Sequence, residues 1–300
     1  MLFVQLLFNG LQIGSFYALT AAGFALIFGS TRVFHVAHGA CFVLSGYVFY
    51  YCFELQGMPW WLATIATIFA AAMFGICIEK FVYRPIQRHE ASFFTVFIAS
   101  FGVALIVQNV IGIPFGRGFV GVTSTLSRAT EVAPGLYIAP VGLLALGSAV
   151  AIFVALHLFL RNSLIGIGLR ALSENVELVR SYGFDPIRLA RWAFVLGSLM
   201  TVVPAILTSI HSGLHPSLGP HVMLISLAAA IVGGIGNMRG AALAGLMLGL
   251  IENIVDGAST LNGLKLRVSL RCLSSFCSGR LDCSAAPRHG KGELHERIPA

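Results

Sequence analysis

The sequence predicts an all-α, polytopic integral membrane protein of about eight transmembrane helices. Three observations predict it. The 300 residues are 57% hydrophobic and only 10% charged, where soluble domains carry about a quarter charged residues. Mean hydropathy is +0.87. The apolar residues also fall into uncharged runs long enough to cross a bilayer, which takes roughly 20 residues as a helix. Helices are the expected element because lipid offers no partner for a free backbone N–H or C=O.

The runs follow one another along the chain. Met1–Thr31 holds no Asp, Glu, Lys or Arg. It lacks a basic start and a plain cleavage site, so it reads as a retained span rather than a signal peptide. Further uncharged runs are Val33–Phe53, Leu55–Ile78, Ala91–Gly116, Val132–Leu160 and Trp192–Met238. The last is long enough for two spans, and His211–His221 (HSGLHPSLGPH) is the natural break between them. Gly240 to about Gly257 is an eighth, shorter candidate, crossed late by Glu252.

Lys and Arg set the orientation. With the Arg161–Arg191 connector in the cytoplasm, the segments holding Arg32, Lys80–Arg88 and Arg239 fall on the same side. Only Arg117 and Arg128 lie opposite among the basic residues before Lys265. The N-terminus is then expected in the periplasm. The formal net charge of +7 is inflated by the last 36 residues, and no basic stripe interleaved with aromatics points to nucleic acid.

Small residues recur every four positions at Gly10, Gly14, Ala18 and Ala22, at Gly236, Gly240 and Ala244, and at Ala241, Gly245 and Gly249. Such stripes read as helix contacts, or as part of a translocation path where helices are interrupted. For the second reading Ile231–Gly240 (IVGGIGNMRG) is the best stretch. Gly233, Gly234 and Gly236 would weaken a helix there, and Asn237 and Gly240 follow.

Chemistry is sparse. There is no GxxxxGK[ST] phosphate loop, no HExxH and no GxSxG. His35 and His38 flank a turn with no further ligand at metal spacing, so a turn or interface role is expected of them. No metal and no cofactor is expected. Cys41, Cys52 and Cys77 lie in apolar runs and read as buried fillers. No acid or relay sits well inside a span, which argues against a proton-coupled carrier.

The Arg161–Arg191 connector is an island of charge. Leu169–Tyr182 is expected to form one short helix, with Arg170 and Glu174 four apart and Glu177 and Arg180 three apart. Gly183 suits the position just past a helix end. Asp185–Pro186 suits an N-cap followed by proline at the first helical position. Such a hairpin is either a docking surface for a soluble partner or an ordinary solvated connector.

Four ordered motifs then carry a resemblance. Gly14, Tyr17-Ala18-Leu19, Ile27-Phe28-Gly29 and Ala37-His38-Gly39 resemble the opening of branched-chain amino acid ABC transporter permeases of the LivH type. Arg84-Pro85 resembles that family's basic-proline turn. Arg170-Ala171, Glu174-Asn175 and Gly183 resemble its ATPase-coupling loop. Gly233-Gly234-Ile235-Gly236-Asn237 and Gly240 resemble the glycine motif that comes after it. His35 and Val36 stand where the family usually has Asn-Phe, and Val179 where a small Ala is common.

The resemblance covers roughly residues 5 to 264. It implies a permease subunit in the bacterial inner (plasma) membrane, without enzymatic activity of its own. A second permease subunit, cytoplasmic ATPase subunits and a periplasmic substrate-binding protein are the implied partners. Branched-chain amino acids are the default substrate, with urea, amides or other amino acids as alternatives. A stand-alone channel or secondary carrier is the alternative of another class.

Residues 1–264 thus read as the permease domain, and 265–300 as an atypical polar tail. The tail is broken by charge every few residues and holds three of the six cysteines. The family continues with another apolar span at this point, so that last span is expected to be lost, by a frameshift near Leu264–Val268 or by a genuine soluble extension. Translating the other two reading frames downstream of Leu264 separates these. A frameshift predicts an apolar, span-length segment in one of them, and its absence from both removes the idea.

Overall fold

A computed structural model describes residues 2–88, 92–133 and 136–261. The polar tail lies outside the described residues. The chain separates into two compact units, Met1–Ile254 and Val255–Ala300, and the contacts and sites of interest lie in the first.

Helix α1 (Leu2–Thr31) is followed by α2 (His38–Tyr50), which continues through a π-helical turn, Tyr51–Leu55. Helix α3 (Trp60–Ile78) runs through a second such turn, Glu79–Tyr83, into α4 (Arg84–Arg88). Helix α5 spans Phe93–Phe115. A small hairpin, β1 (Thr130–Ala133) and β2 (Leu136–Ile138), precedes α6 (Pro140–Asn162). Then come α7 (Leu164–Glu174), α8 (Val176–Ser181), α9 (Pro186–His211), α10 (Leu218–Val232) and α11 (Met238–Leu261).

Among the described residues, six helices are long and apolar enough to cross a membrane: α1, α3 with α4, α5, α6, α9 and α11. The remaining two expected spans, α2 and α10, are shorter. Helices α1 and α9 form the centre. Their apolar windows are 78% and 72% buried, against 17% for α5 and α6. The outer helices turn Trp60, Phe69, Phe94, Ile106 and Val150 outward, as a surface solvated by lipid requires.

With no hydrophobic gain from leaving lipid, packing depends on close backbone approach. The α1 and α11 stripes of small residues meet each other. A Cβ on Gly14 would lie 2.6 Å from the Leu246 carbonyl oxygen, and one on Gly245 would lie 2.8 Å from the Ala18 nitrogen. Gly23 of α1 and Gly197 of α9 make the same kind of contact.

Three expected boundaries are corrected. The run from Val33 is not helical until His38. His38 Nε2 lies 2.9 Å from the Thr20 carbonyl oxygen. Thr20 is eleven residues short of the end of α1, or about 16 Å along the helix. Residues 32–37 therefore run back alongside α1 before α2 begins. The run from Val132 starts as a strand instead, because Thr130 pairs with Ile138 and Glu131 with Tyr137. The Gln5 side chain holds this hairpin to α1, donating to the Tyr137 carbonyl at 2.6 Å and accepting from its N–H at 2.9 Å. The third correction is a helix break at Asn175, inside the charged connector.

A second non-helical segment precedes α10. Leu214 exchanges two backbone hydrogen bonds with Val120, at 2.9 and 2.6 Å, and its side chain packs on Gly46 of α2. The N-terminal turns of the two short helices touch: a Cβ on Gly39 would overlap the Gly219 carbonyl. Gly39→Ala is therefore expected to lower the thermal midpoint in detergent by several degrees, since overpacking costs about 1–3 kcal/mol. Gly102→Ala, with nothing within 4 Å of the new methyl, is expected to leave it unchanged or higher. Equal midpoints for the two variants would contradict the packing account.

Candidate functional site

One end of the bundle carries most of the charge, and direct contacts tie its parts together. Arg32 sits just past α1 with a positive φ of 56°, and its Nη2 donates to the Ser173 carbonyl of α7 at 3.3 Å. Arg191 of α9 donates to the nearly buried Glu79 carboxylate at 3.2 Å. Arg239 of α11 donates to His157 Nδ1 of α6 at 3.1 Å. Gly29 of α1 meets Gly236, where a Cβ would lie 2.9 Å from the carbonyl oxygen.

The connector at this end is two helices, not one. Ser163 caps α7, accepting from the Gly166 N–H at 2.9 Å. Asn175 then leaves helical geometry (φ −153°, ψ 113°), and its Oδ1 accepts from the Glu177 N–H at 2.9 Å. A short polar side chain that satisfies a helix start competes with helix continuation. Among the described residues no ion pair joins Arg170 to Glu174 or Glu177 to Arg180. The expected charge pairs therefore do not hold the element together.

Its end follows the expected punctuation. Gly183 has φ +81°. The Gly183 N–H donates to Arg180 O at 3.0 Å and the Phe184 N–H to Val179 O at 3.2 Å, the paired bonds of a Schellman end. Val179 is buried and packs in one cluster with Phe184, so the larger side chain at this position is accommodated. Asp185 Oδ1 accepts from the Ile187 N–H at 3.0 Å, with Pro186 opening α9.

The α7–α8 pair is two-faced. Leu169, Leu172 and Val179 are buried against α1, α6 and α9. Gly166 approaches the backbone of Leu160, and Gly168 packs against Leu189. The opposite face exposes Leu164, Ile167, Val176 and Tyr182 together with Glu174, Asn175, Glu177 and Arg180, and Arg170 is exposed at the edge, towards α1 and α6. Ala171 is half-buried at the edge, and Gly183 is exposed. Apolar and charged groups interleaved on an exposed helical face suit a protein interface better than bulk water.

Two other groups of expected residues are placed elsewhere. Gly233, Gly234 and Gly236 form the turn between α10 and α11, level with Gly29, rather than a weak point in mid-helix. Gly234 and Gly236 have φ of +95° and +86°, and a Cβ on Gly240 would overlap the Gly233 carbonyl. Asn237 Oδ1 accepts from the Gly240 N–H at 3.2 Å. Ala37, His38 and Gly39 are buried at the start of α2.

What holds that start is a network that residue types alone do not show. The Ala37 N–H donates to Ser100 Oγ at 2.9 Å. The Tyr83 hydroxyl donates to the same Oγ at 2.7 Å and lies 2.6 Å from His35 Nδ1. With Tyr83 donating to Ser100, its oxygen accepts from Nδ1–H of His35. Nothing in the sequence marks Tyr83 for this role, because it sits in a basic stretch (EKFVYRPIQR) that reads as a surface turn. Glu79 is hidden for the same reason.

Between α2, α5 and α10 lies an apolar cavity of about 260 Å³, bounded among others by Phe34, Val43, Phe97, Met223 and Leu227. Gln108 supplies the single polar side chain of its lining.

A bundle of membrane-crossing helices with an amphipathic, charged helical pair at one end defines a multi-pass integral membrane protein. Residues 6–270 match the family described as branched-chain amino acid transport system / permease component, and the chain belongs to it. It is 28% identical over 263 residues to the high-affinity branched-chain amino acid transport system permease protein LivH of Salmonella typhimurium, covering 83% of this chain and 85% of that protein. LivH of Escherichia coli K12 gives the same identity and coverage. BraD of Pseudomonas aeruginosa is 27% identical over the same length. No solved structure matches.

Removing the bridging hydroxyl tests the network. Tyr83→Phe leaves His35 Nδ1 and one Ser100 acceptor site unpaired, which is expected to cost about 1–3 kcal/mol. Ser100→Ala in the same background should add less than it does alone, read as a double-mutant cycle of thermal unfolding. Additive effects would show that the three groups do not act together.

Proposed function

We propose that the chain is one permease subunit of an ATP-binding-cassette importer for branched-chain amino acids. It pairs with a second permease subunit in the bacterial inner membrane, with its N-terminus in the periplasm. A periplasmic binding protein delivers substrate, and ATPase subunits in the cytoplasm supply the energy.

The exposed face of the α7–α8 pair carries this reading. It lies at the end of the bundle that collects Arg32, Arg161, Arg191 and Arg239, the end that the positive-inside rule assigns to the cytoplasm. Its inner face packs on the central helices α1 and α9. A partner that moves α7–α8 therefore moves the helices around which the rest is arranged. Arg170, Ala171, Glu174, Asn175 and Gly183 are the residues we assign to this coupling. Gly183 lets the chain turn from α8 into α9, and Asn175 fixes the angle between α7 and α8.

The substrate class has separate support. The three relatives are named as branched-chain amino acid permeases. The cavity between α2, α5 and α10 suits an aliphatic side chain, because its lining carries no charge. Ala37, His38 and Gly39 hold the start of α2 beside it. We assign Gly233, Gly234, Gly236, Asn237 and Gly240 to the turn that fixes α10 against α11 rather than to the path itself.

The coupling assignment is tested on the assembled transporter. Gly183→Val forces a β-branched residue into a left-handed conformation, and Glu174→Ala removes a charge from the exposed face. Each is expected to weaken binding of the ATPase subunits about tenfold or more, the scale of a central interface residue, and to lower ATP-driven uptake in parallel. Unchanged binding and unchanged uptake in both variants would remove the coupling role.

A further inference from the structure

A second cavity, larger than the apolar one, lies outside the α2–α5–α10 region. It has a volume of about 770 Å³ and lies at the basic end, between α1, α6, α7 and the start of α11. Arg161, Arg170 and Arg239 line it together with His157, and its lining contains no carboxylate. Among the described residues none of these three guanidiniums makes an ion pair. Arg239 is held by His157 Nδ1. That bond makes Nδ1 the acceptor, which leaves the proton on Nε2.

The other polar side chains of the wall are uncharged. Ser30 contributes a hydroxyl, and that of Ser173 donates to the Arg170 carbonyl at 2.7 Å. Gly236, Asn237 and Met238 bring the N-terminus of α11, a 24-residue helix, to the wall. A helix N-terminus and a cluster of unpaired guanidiniums both favour an anion. The rest of the wall is aliphatic, with Leu26, Leu160, Leu169 and Met238. Three like charges around a cavity repel one another, and an anion between them removes that repulsion.

We propose that this cavity is a phosphate-binding site and that it takes the phosphodiester headgroup of an anionic phospholipid. The mixed wall favours a lipid over a small ion. Guanidiniums meet the phosphate, and the aliphatic residues meet the start of the acyl chains where the helices enter the bilayer. Basic pockets between helices at the cytoplasmic surface suit such headgroups. The bound lipid would tie α7, through Arg170, to α1, α6 and the α10–α11 turn. It would thereby hold the inner side of the α7–α8 coupling element. The proposal rests on the coupling reading only for the leaflet that supplies the lipid; binding itself is read without it.

The test uses the full chain purified in detergent. Thermal unfolding is followed with added phosphatidylglycerol, phosphatidylcholine or inorganic phosphate, and retained lipid is counted by native mass spectrometry. Phosphatidylglycerol is expected to raise the midpoint by several degrees at concentrations where phosphatidylcholine does not. Its half-effective concentration should rise at least tenfold in Arg161→Gln/Arg239→Gln and stay the same in Arg128→Gln, at the opposite end. An equal shift with inorganic phosphate, lost in the same double variant, keeps the site and assigns it to free phosphate. If the double variant does not fold, Arg161→Gln alone carries the test, because Arg161 is exposed and makes no hydrogen bond that would be lost. No preference for phosphatidylglycerol or phosphate over phosphatidylcholine, or a preference that survives loss of these arginines, overturns the proposal.

Discussion

Backbone hydrogen bonding at membrane depth is the constraint on which the rest of this structure depends. A helix satisfies its own N–H and C=O groups, but residues 32–37 and 212–217 are not helical, and the first of these stretches runs back alongside a spanning helix. The first must find partners inside the protein, because lipid provides none, and the second follows the end of α9. Ser100 accepts from the Ala37 N–H and Thr31 Oγ1 from the Val33 N–H, while Tyr83 ties Ser100 to the His35 side chain. Val120, from the segment after α5, serves the second through Leu214. These hydrogen bonds let α2 and α10 start late and remain short, and that in turn brings Gly39 against Gly219 and leaves the apolar cavity beside them.

The charged end obeys the same logic with ions in place of amides. Glu79 is nearly buried and is matched by Arg191, since a lone carboxylate at that depth would be strongly unfavourable. Arg32, Arg191 and Arg239 each reach from one element to another, so these basic residues cross-link this end. The α7–α8 pair is seated on this platform by Leu169, Leu172 and Val179. Its outer face remains free for a partner, while its inner face stays fixed to the two central helices.

Much of this is legible in the residues. Uncharged runs locate the helices, because charge is excluded from lipid whatever the tertiary structure. Gly183, Asp185 and Pro186 mark their turn correctly, because positive φ, capping and a fixed φ are properties of single residues. The late start of α2 is not legible. Val33–Ala37 is as apolar as the helix it precedes, and its course is decided by Ser100 and Tyr83, far away in sequence. The strand at Thr130–Ala133 is hidden for a similar reason, since its partner and the Gln5 clamp are supplied by other segments. At Asn175 the spacing of charges suggests a continuous helix, and one capping side chain prevails. Gly233, Gly234 and Gly236 read as a weak point in a span, whereas the positive φ of the last two makes a tight turn between two helices.

The central claim is that this chain passes substrate only when an ATPase acts on α7–α8. Uptake of radiolabelled leucine into proteoliposomes tests it most directly, with the chain, the second permease, the ATPase subunits and the binding protein reconstituted together. Accumulation above the external concentration, dependent on both ATP and the binding protein, is predicted. Equilibration of leucine by the chain alone, without ATP, would contradict the account and identify a channel or carrier.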